Sequence, residues 1–359
     1  VCSESTRPYN SPLTRSSPKR TAPARVGVWL ILGAAVSIVL IGAAALVLLG
    51  PEAPAPGAVR PRPAAGDMAP VETVERVLES VQAYVSREEF DKGAAILERA
   101  VAAHPEDADL RFALGDLRMR TREFDLAYEQ YAAGLAALDT PDAARSFTAG
   151  TLASEVGEFD LAAEHYEDAA RADPSRADYP LYLANIHLKR NAVDEASGAV
   201  ALAARLAPER AEVWVTWSHI AMRRGAVELA LQQIRRARGI QPLEPEWAIL
   251  EARILRRRGE PDRALAALAT LPEQTRTTPR VALSMAECDG MLGEPSRGAD
   301  RVVAAARAER ADASLAFEAA VWLERAGRRG EALRWARRAI ELGHAGAEAW
   351  IDSLPDRGG

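Results

Sequence analysis

The stretch "EFDLAAEHYEDAARADP" (158–174) restates "EFDLAYEQYAAGLAALD" (123–139), which lies 35 residues earlier in the 359-residue chain. Both open on Glu-Phe-Asp-Leu-Ala and carry a tyrosine eight residues on, at Tyr131 and Tyr166. The small residue four positions into each copy continues as a column: Gly93, Ala127, Ala162, Ala196, Ala230, Ala264, Gly298 and Ala332. Its spacing is 34 residues throughout, apart from one step of 35. Four residues further runs a larger series, Leu97, Tyr131, Tyr166, Val200, Ile234, Leu268, Val302 and Ala336. Twelve residues before the first column come Gly115, Gly150, Ala184, Ser218, Ala252, Ala286 and Ala320, all small. A fixed period of this length is the signature of a stack of similar units, each unable to bury its apolar face alone.

Each unit reads as two helices. A recurrent Gly or Asn (Gly157, Asn191, Gly225, Gly259, Gly293, Gly327) sits between two helical patterns, where a left-handed residue ends the first helix. Pro105, Pro174, Pro208 and Pro242 then stop the second. Ala and Leu supply most of the apolar residues and only 6% of the chain is aromatic, a composition suited to closely packed helices.

These columns resemble the tetratricopeptide repeat (TPR) family, whose pattern sets Gly or Ala in helix A, then Ala, a large apolar residue and Pro in helix B. The match runs over about residues 74–346, in eight copies beginning near Val74, Ala108, Ala143, Ala177, Ala211, Pro245, Pro279 and Ala313. The resemblance implies an all-α fold, a right-handed superhelical solenoid of about eight helix-turn-helix units. It also implies a groove, lined by A helices, that takes a protein or peptide. Two copies depart, with Pro261 and Pro295 where the turn usually has an aromatic residue, and "TLPEQTRTTPR" (270–280) cuts a B helix short, so the stack is expected to loosen there. Residues 347–359 are expected to cap the stack through Trp350 and then fray.

Ahead of the repeats, residues 26–51 carry no charge: "VGVWLILGAAVSIVLIGAAALVLLGP". A helix rising ~1.5 Å per residue spans the ~30 Å hydrocarbon core within that length. The alternative, a cleaved signal peptide, has an apolar region of only about 7–15 residues. The expectation is one transmembrane helix at 26–50. Residues 1–25 hold Arg7, Arg15, Lys19, Arg20 and Arg25 against Glu4, so the positive-inside rule puts them in the cytoplasm as a disordered basic tail. The repeats then face away from the cytoplasm, at the inner membrane and periplasmic-facing in a diderm cell. Residues 51–70 hold six prolines and read as a semi-rigid spacer.

Projection of the A helices onto the groove separates two halves. The first offers Asp109, Phe112, Asp116, Phe147, Thr151 and Glu155, with Arg120 the main basic exception. The middle offers Asn185, Lys189, His219, Met222, Arg223, Arg253, Arg256 and Arg257. Of these, Asn185, Lys189, His219, Arg223, Arg253 and Arg257 form the candidate partner-binding set. Windowed charge follows: residues 71–176 hold 11 basic against 23 acidic residues, residues 177–346 hold 26 against 22. A basic stripe suits an acidic segment, because guanidinium forks match carboxylates. The competing reading is that "KR", "RR" and "RRR" merely end A helices, where the dipole favours cations.

No catalytic constellation is present. His104, His165, His187, His219 and His344 are scattered without ligand spacing, although His187 and His219 lie on neighbouring A helices. Cys2 and Cys288 fall on opposite sides of the expected membrane, and Cys288 reads as a small core residue. There is no phosphate loop, Gly-x-Ser-x-Gly elbow or Cys-x-x-Cys pair. No cofactor or metal is expected, and the acidic balance of the region past the apolar span disfavours nucleic acid. The expected function is a membrane-anchored, non-enzymatic scaffold for protein–protein interaction in envelope assembly, secretion or maturation. The alternative is an anchored chaperone or holdase for extended clients.

Overall fold

The computed structural model describes residues 73–355, and every regular element among them is helical. Eight A helices alternate with eight B helices. They are α1 (Val74–Val85) with α2 (Phe90–Ala103), α3 (Ala108–Arg120) with α4 (Phe124–Ala136), α5 (Ala143–Val156) with α6 (Phe159–Ala172), and α7 (Asp178–Lys189) with α8 (Val193–Leu206). There follow α9 (Ala211–Arg223) with α10 (Val227–Ile240), α11 (Pro245–Arg257) with α12 (Pro261–Ala269) and the short α13 (Glu273–Arg276). The last pairs are α14 (Pro279–Met291) with α15 (Pro295–Ala308) and α16 (Ala313–Arg325) with α17 (Arg329–Glu341), closed by α18 (Ala347–Ser353). Each helix packs on its neighbours in sequence, and A helices also touch the next A helix, as α7 does α9 and α11 does α14. The expected tail 1–25, transmembrane helix 26–50 and spacer 51–70 lie outside the described residues, and so does most of the expected fraying end. Among the described residues no helix is long and apolar enough to cross a membrane.

The turn column behaves as its chemistry requires. Gly157, Gly225, Gly259, Gly293 and Gly327 have φ between 73° and 89°, and Asn191 has φ 61°. In the first two pairs the same place is taken by Glu88 (φ 60°) and Arg122 (φ 63°), which sequence pattern alone does not reveal. B helices end two residues before Pro105, Pro174, Pro208 and Pro242. Pro261 and Pro295 open their B helices, at a position that needs no N–H donor.

The small column exists to let a large neighbour in. Gly115 faces Tyr131 so closely that a Cβ would lie 2.6 Å from the ring, and Gly150 faces Tyr166 at 2.8 Å. In the fourth to sixth pairs the partner is aliphatic (Val200, Ile234, Leu268) and the small residue is Ala or Ser. Glycine and tyrosine therefore vary together within one chain, a size match of the kind that close packing enforces.

The joint at 270–280 differs from expectation. Helix α12 is indeed short, at 9 residues, but the stack does not loosen. Leu271 swings in to 2% exposure and joins Leu268, Val281, Met285 and Cys288 in one apolar cluster that continues back to Leu181. At the end, α18 lays Trp350 edge-on against Phe317 at 5.6 Å, which covers the last pair.

Candidate functional site

On the A-helix face, the C-terminal halves of α9 and α11 enclose a cavity of about 380 Å³. Its polar lining is His219, Arg223, Arg253 and Arg257, and its apolar lining is Leu188, Met222, Leu250 and Ile254. The polar groups arise from two columns. His219 and Arg253 occupy the same place in successive A helices, 34 residues apart, as do Arg223 and Arg257. Within one helix they are four residues apart and so lie one above the other on a single face.

The run Arg256-Arg257-Arg258 shows how a helix end divides its cations. Arg256 turns forward, donating to the Ser284 carbonyl at 3.1 Å and hydroxyl at 3.0 Å and pairing with Glu287 at 2.5 Å. Arg258 turns back to Glu228 of the preceding B helix at 2.7 Å. Arg224 and Arg190 repeat that backward pairing with Asp194 and Asp160. Arg257, between them, has neither an ion-pair nor a hydrogen-bond partner among the described residues, and Arg253 one turn earlier has none either. The helix-end explanation thus accounts for the flanking arginines. It leaves Arg253 and Arg257 open to the cavity.

No acidic side chain lines this cavity among the described residues. Glu251, on the same helix, is buried on the opposite side between Arg235 (2.8 Å) and Arg238 (2.5 Å), and Glu246 pairs with Arg280. Burial holds the His219 imidazole below its ordinary value, and the charges of Arg253 and then Arg223 push it further down. It is therefore neutral at pH 7 and the arginines carry the charge. Arg223 is partly engaged, donating to Asn191 Oδ1 at 3.1 Å.

Of the six residues expected to bind a partner, four line the cavity and two do not. Asn185 is exposed but its Oδ1 accepts from Thr216 at 3.4 Å. Lys189 donates to Ser154 at 2.9 Å and lies 5.0 Å above the Phe159 ring, so it looks toward the preceding repeat. The apolar floor of Leu188, Leu250 and Ile254 was not part of the expectation, since aliphatic residues at these places read as ordinary core. Arg256 belongs to the next joint. In the first half, Phe112 does not face a groove: it is 2% exposed, packed on Tyr131 at 5.3 Å. His187 is buried beside Arg190 at 3.5 Å and shares no site with His219. The described residues hold no group of three or more His, Cys, Asp or Glu able to take a metal. Cys288 is a buried core thiol that donates to the Ser284 carbonyl at 3.2 Å, its pKa raised by burial.

A second cavity of about 530 Å³ lies further along the A-helix face, lined by Arg256, Glu287, Gly290, Met291, Pro295, Trp322 and Arg325.

The family profile of the tetratricopeptide repeat matches residues 78–144, 147–211 and 215–277, together more than half of the chain. Among solved structures, a tetratricopeptide repeat protein from Parabacteroides merdae is 14% identical, with 64% of this chain and 91% of that one covered at a TM-score of 0.50. PilF of Pseudomonas aeruginosa is 18% identical over 59% of this chain and 96% of that one, at a TM-score of 0.45. MamA from Desulfovibrio magneticus RS-1 is 13% identical over 45% and 92%, at 0.42. At 14% identity the likeness to the Parabacteroides merdae protein is one of fold. No curated protein matches this chain. With its eight helix pairs, its left-handed turn residues and its interlocking small and large columns, the chain belongs to the tetratricopeptide-repeat family.

Proposed function

We propose that this protein is a membrane-anchored interaction scaffold that holds an acidic segment of a partner protein on its A-helix face. The observation that carries this reading is the pair Arg253 and Arg257, one helical turn apart and without partners among the described residues, over a floor of Leu188, Met222, Leu250 and Ile254. A free guanidinium in a half-enclosed site retains its charge and its planar fork, which matches a carboxylate in two parallel hydrogen bonds. The aliphatic floor favours a polypeptide over a small hydrophilic anion, because it offers area to a side chain or backbone beside the acid. Anchoring rests on the uncharged run 26–51 and the basic tail before it, which together direct the repeats across the inner membrane. A role in envelope assembly, secretion or maturation follows from that placement.

The test uses the full-length chain in mild detergent and a fluorescent dodecapeptide of mixed Asp, Glu and Ser, with a Lys/Ser peptide as control. The acidic peptide is expected to bind, to weaken at least tenfold between 50 and 300 mM salt, and to be lost in Arg253→Glu/Arg257→Glu. Both side chains are exposed, so circular dichroism of that variant should be unchanged. Equal binding of the two peptides, or indifference to the double substitution, overturns the reading and favours a holdase that grips extended chains without regard to charge.

A further inference from the structure

The two cavities share helix α11, and the adjacent residues Arg256 and Arg257 look into different ones: Arg257 lines the basic cavity, Arg256 the second. Both openings are lined from the same places of successive A helices, Arg223 and Arg257 in the first and Met291 and Arg325 in the second, so both lie on the A-helix face. The second is chemically unlike the first. The charge of Arg256 is already matched by Glu287 at 2.5 Å, and Arg325 lies 4.9 Å over the Trp322 ring. What remains open is apolar, with Met291 52% exposed and Trp322 at the base.

Sequence explains why this opening exists. The place of Gly290 in the other A helices holds Val85, Met119, Ser154, Leu188, Met222, Arg256 and Glu324. Only Gly290 has no side chain there, and a Cβ at that place would already lie 3.1 Å from the Trp322 ring. Leu188 and Met222 wall the basic cavity from equivalent positions. At α14 that side chain is absent: Gly290 lines the second cavity with the tip of the Trp322 ring beside it.

Building on the function proposed above, we infer that the partner segment is an extended chain with an acidic residue in the basic cavity and a large apolar side chain in the cavity opened by Gly290. The basic cavity lies between α9 and α11, the second between α14 and α16, two A-helix steps away. At about 10 Å per step the separation is roughly 20 Å. An extended chain rises about 3.3 Å per residue, which places the apolar residue about six positions from the acid. Arg253 and Arg257 supply the attraction and the Gly290 opening the selectivity.

The experiment measures fluorescence anisotropy of the full-length chain with peptides in which an Asp-Glu pair is joined to Leu-Phe through Gly/Ser spacers of one, five or nine residues, and with the Asp-Glu pair alone. The five-residue spacer is expected to bind about tenfold tighter than the acid-only peptide, the worth of one large buried apolar side chain. Gly290→Leu, which restores the usual wall, should abolish that gain and leave acid-only binding unchanged. Met291→Glu, an exposed position with no folding role, should reduce the gain without requiring any repacking around Trp322. If the gain is absent, or survives both substitutions, or shows no dependence on spacer length, the two-site inference falls. Loss of all binding in Arg253→Glu/Arg257→Glu, with Gly290→Leu silent, rejects this inference while keeping the basic groove. If the arginine pair is also silent, the underlying reading fails with it.

Discussion

The second and third helix pairs and the fifth and sixth use one architecture to opposite ends. In each, the residue eight positions into helix A stands over the large residue of helix B. In the earlier pairs that large residue is tyrosine, and its hydroxyl reaches the face: Tyr131 donates to Asp116, and Tyr166 lies 3.1 Å from Thr151. In the later pairs the large residues are Ile234 and Leu268, fully buried, with no polar atom to extend. His219 and Arg253 stand over them with no hydrogen-bond partner among the described residues. In these pairs a tyrosine core engages the polar group above it, and an isoleucine or leucine core does not. What differs is whether the face is already satisfied from below.

The largest expected effect comes from breaking the size match that lets the tyrosines in. In Gly115→Ala the new methyl would lie 2.6 Å from the Tyr131 ring and 3.3 Å from the Ala127 carbonyl, so it is crowded by ring and backbone together. Overpacking of this kind costs about 2–3 kcal/mol, read as a lower urea midpoint. The neighbouring pattern supplies the rescue: Gly115→Ala combined with Tyr131→Val reproduces the Ala184/Val200 arrangement of the fourth pair. The double variant should be less destabilised than the two single effects summed, by about 1–2 kcal/mol. Additive losses would mean that glycine and tyrosine vary together for some reason other than contact.

A smaller effect tests the polar half of the comparison. Tyr131→Phe keeps the ring and removes the hydroxyl that Asp116 accepts. Burial raises the Asp116 pKa, and the tyrosine hydroxyl, then Arg145 and Arg120, oppose that rise. Without the hydroxyl the carboxyl should titrate still higher. Because the Asp116 side chain is half exposed, water recovers part of the loss, and about 1 kcal/mol is expected at neutral pH. Sign and window follow from the raised value: the deficit is full at neutral pH and shrinks in acid, where the carboxyl becomes protonated in both states. Tyr166→Phe should cost less, since Thr151 is uncharged and its own hydroxyl still donates to the Phe147 carbonyl at 3.0 Å. Equal losses would remove charge from the explanation.

Most of the fold was legible because a solenoid writes its packing as a period. The columns of Gly115, Gly150 and Ala184, and of Tyr131, Tyr166 and Val200, place both helices of each pair by spacing alone. The turns at Glu88 and Arg122 were hidden because neither residue advertises a positive φ. The joint at 270–280 misled because prolines report where a helix stops, not whether Leu271 can turn inward to keep the core continuous. Within the site, the periodic cations His219, Arg223, Arg253 and Arg257 could be read by projection. Asn185 and Lys189 share those columns, yet Thr216 and Ser154 engage them, and a hydrogen bond to a neighbouring repeat leaves no mark in the spacing. Phe112 misled because its ring packs on Tyr131 at 5.3 Å and is buried there, while Phe147 in the same column stays partly exposed.

The smallest effect isolates the titrating group on the basic face. His219 is held below its ordinary value by burial, with Arg253 and Arg223 adding to the shift. Its folded form therefore refuses a proton that the unfolded chain accepts. That favours the native state above about pH 6.5 and is lost as pH falls toward the lowered value. Burial lowers His165 and His187 as well, so overall stability should decline on mild acidification. Binding runs the other way. A carboxylate seated among Arg223, Arg253 and Arg257 offsets their repulsion of the imidazolium, so occupancy raises the His219 pKa and takes up a fraction of a proton. Affinity for the acidic dodecapeptide should then rise about two- to fivefold between pH 7.5 and 6.0, while the free protein becomes less stable. His219→Gln should flatten the affinity profile and leave the binding at pH 7.5 nearly unchanged, because the neutral ring contributes little charge there. If wild-type affinity falls with acidification, or if the glutamine variant keeps the same slope, the ligand's charge does not reach His219 and the acid must sit elsewhere on the A-helix face.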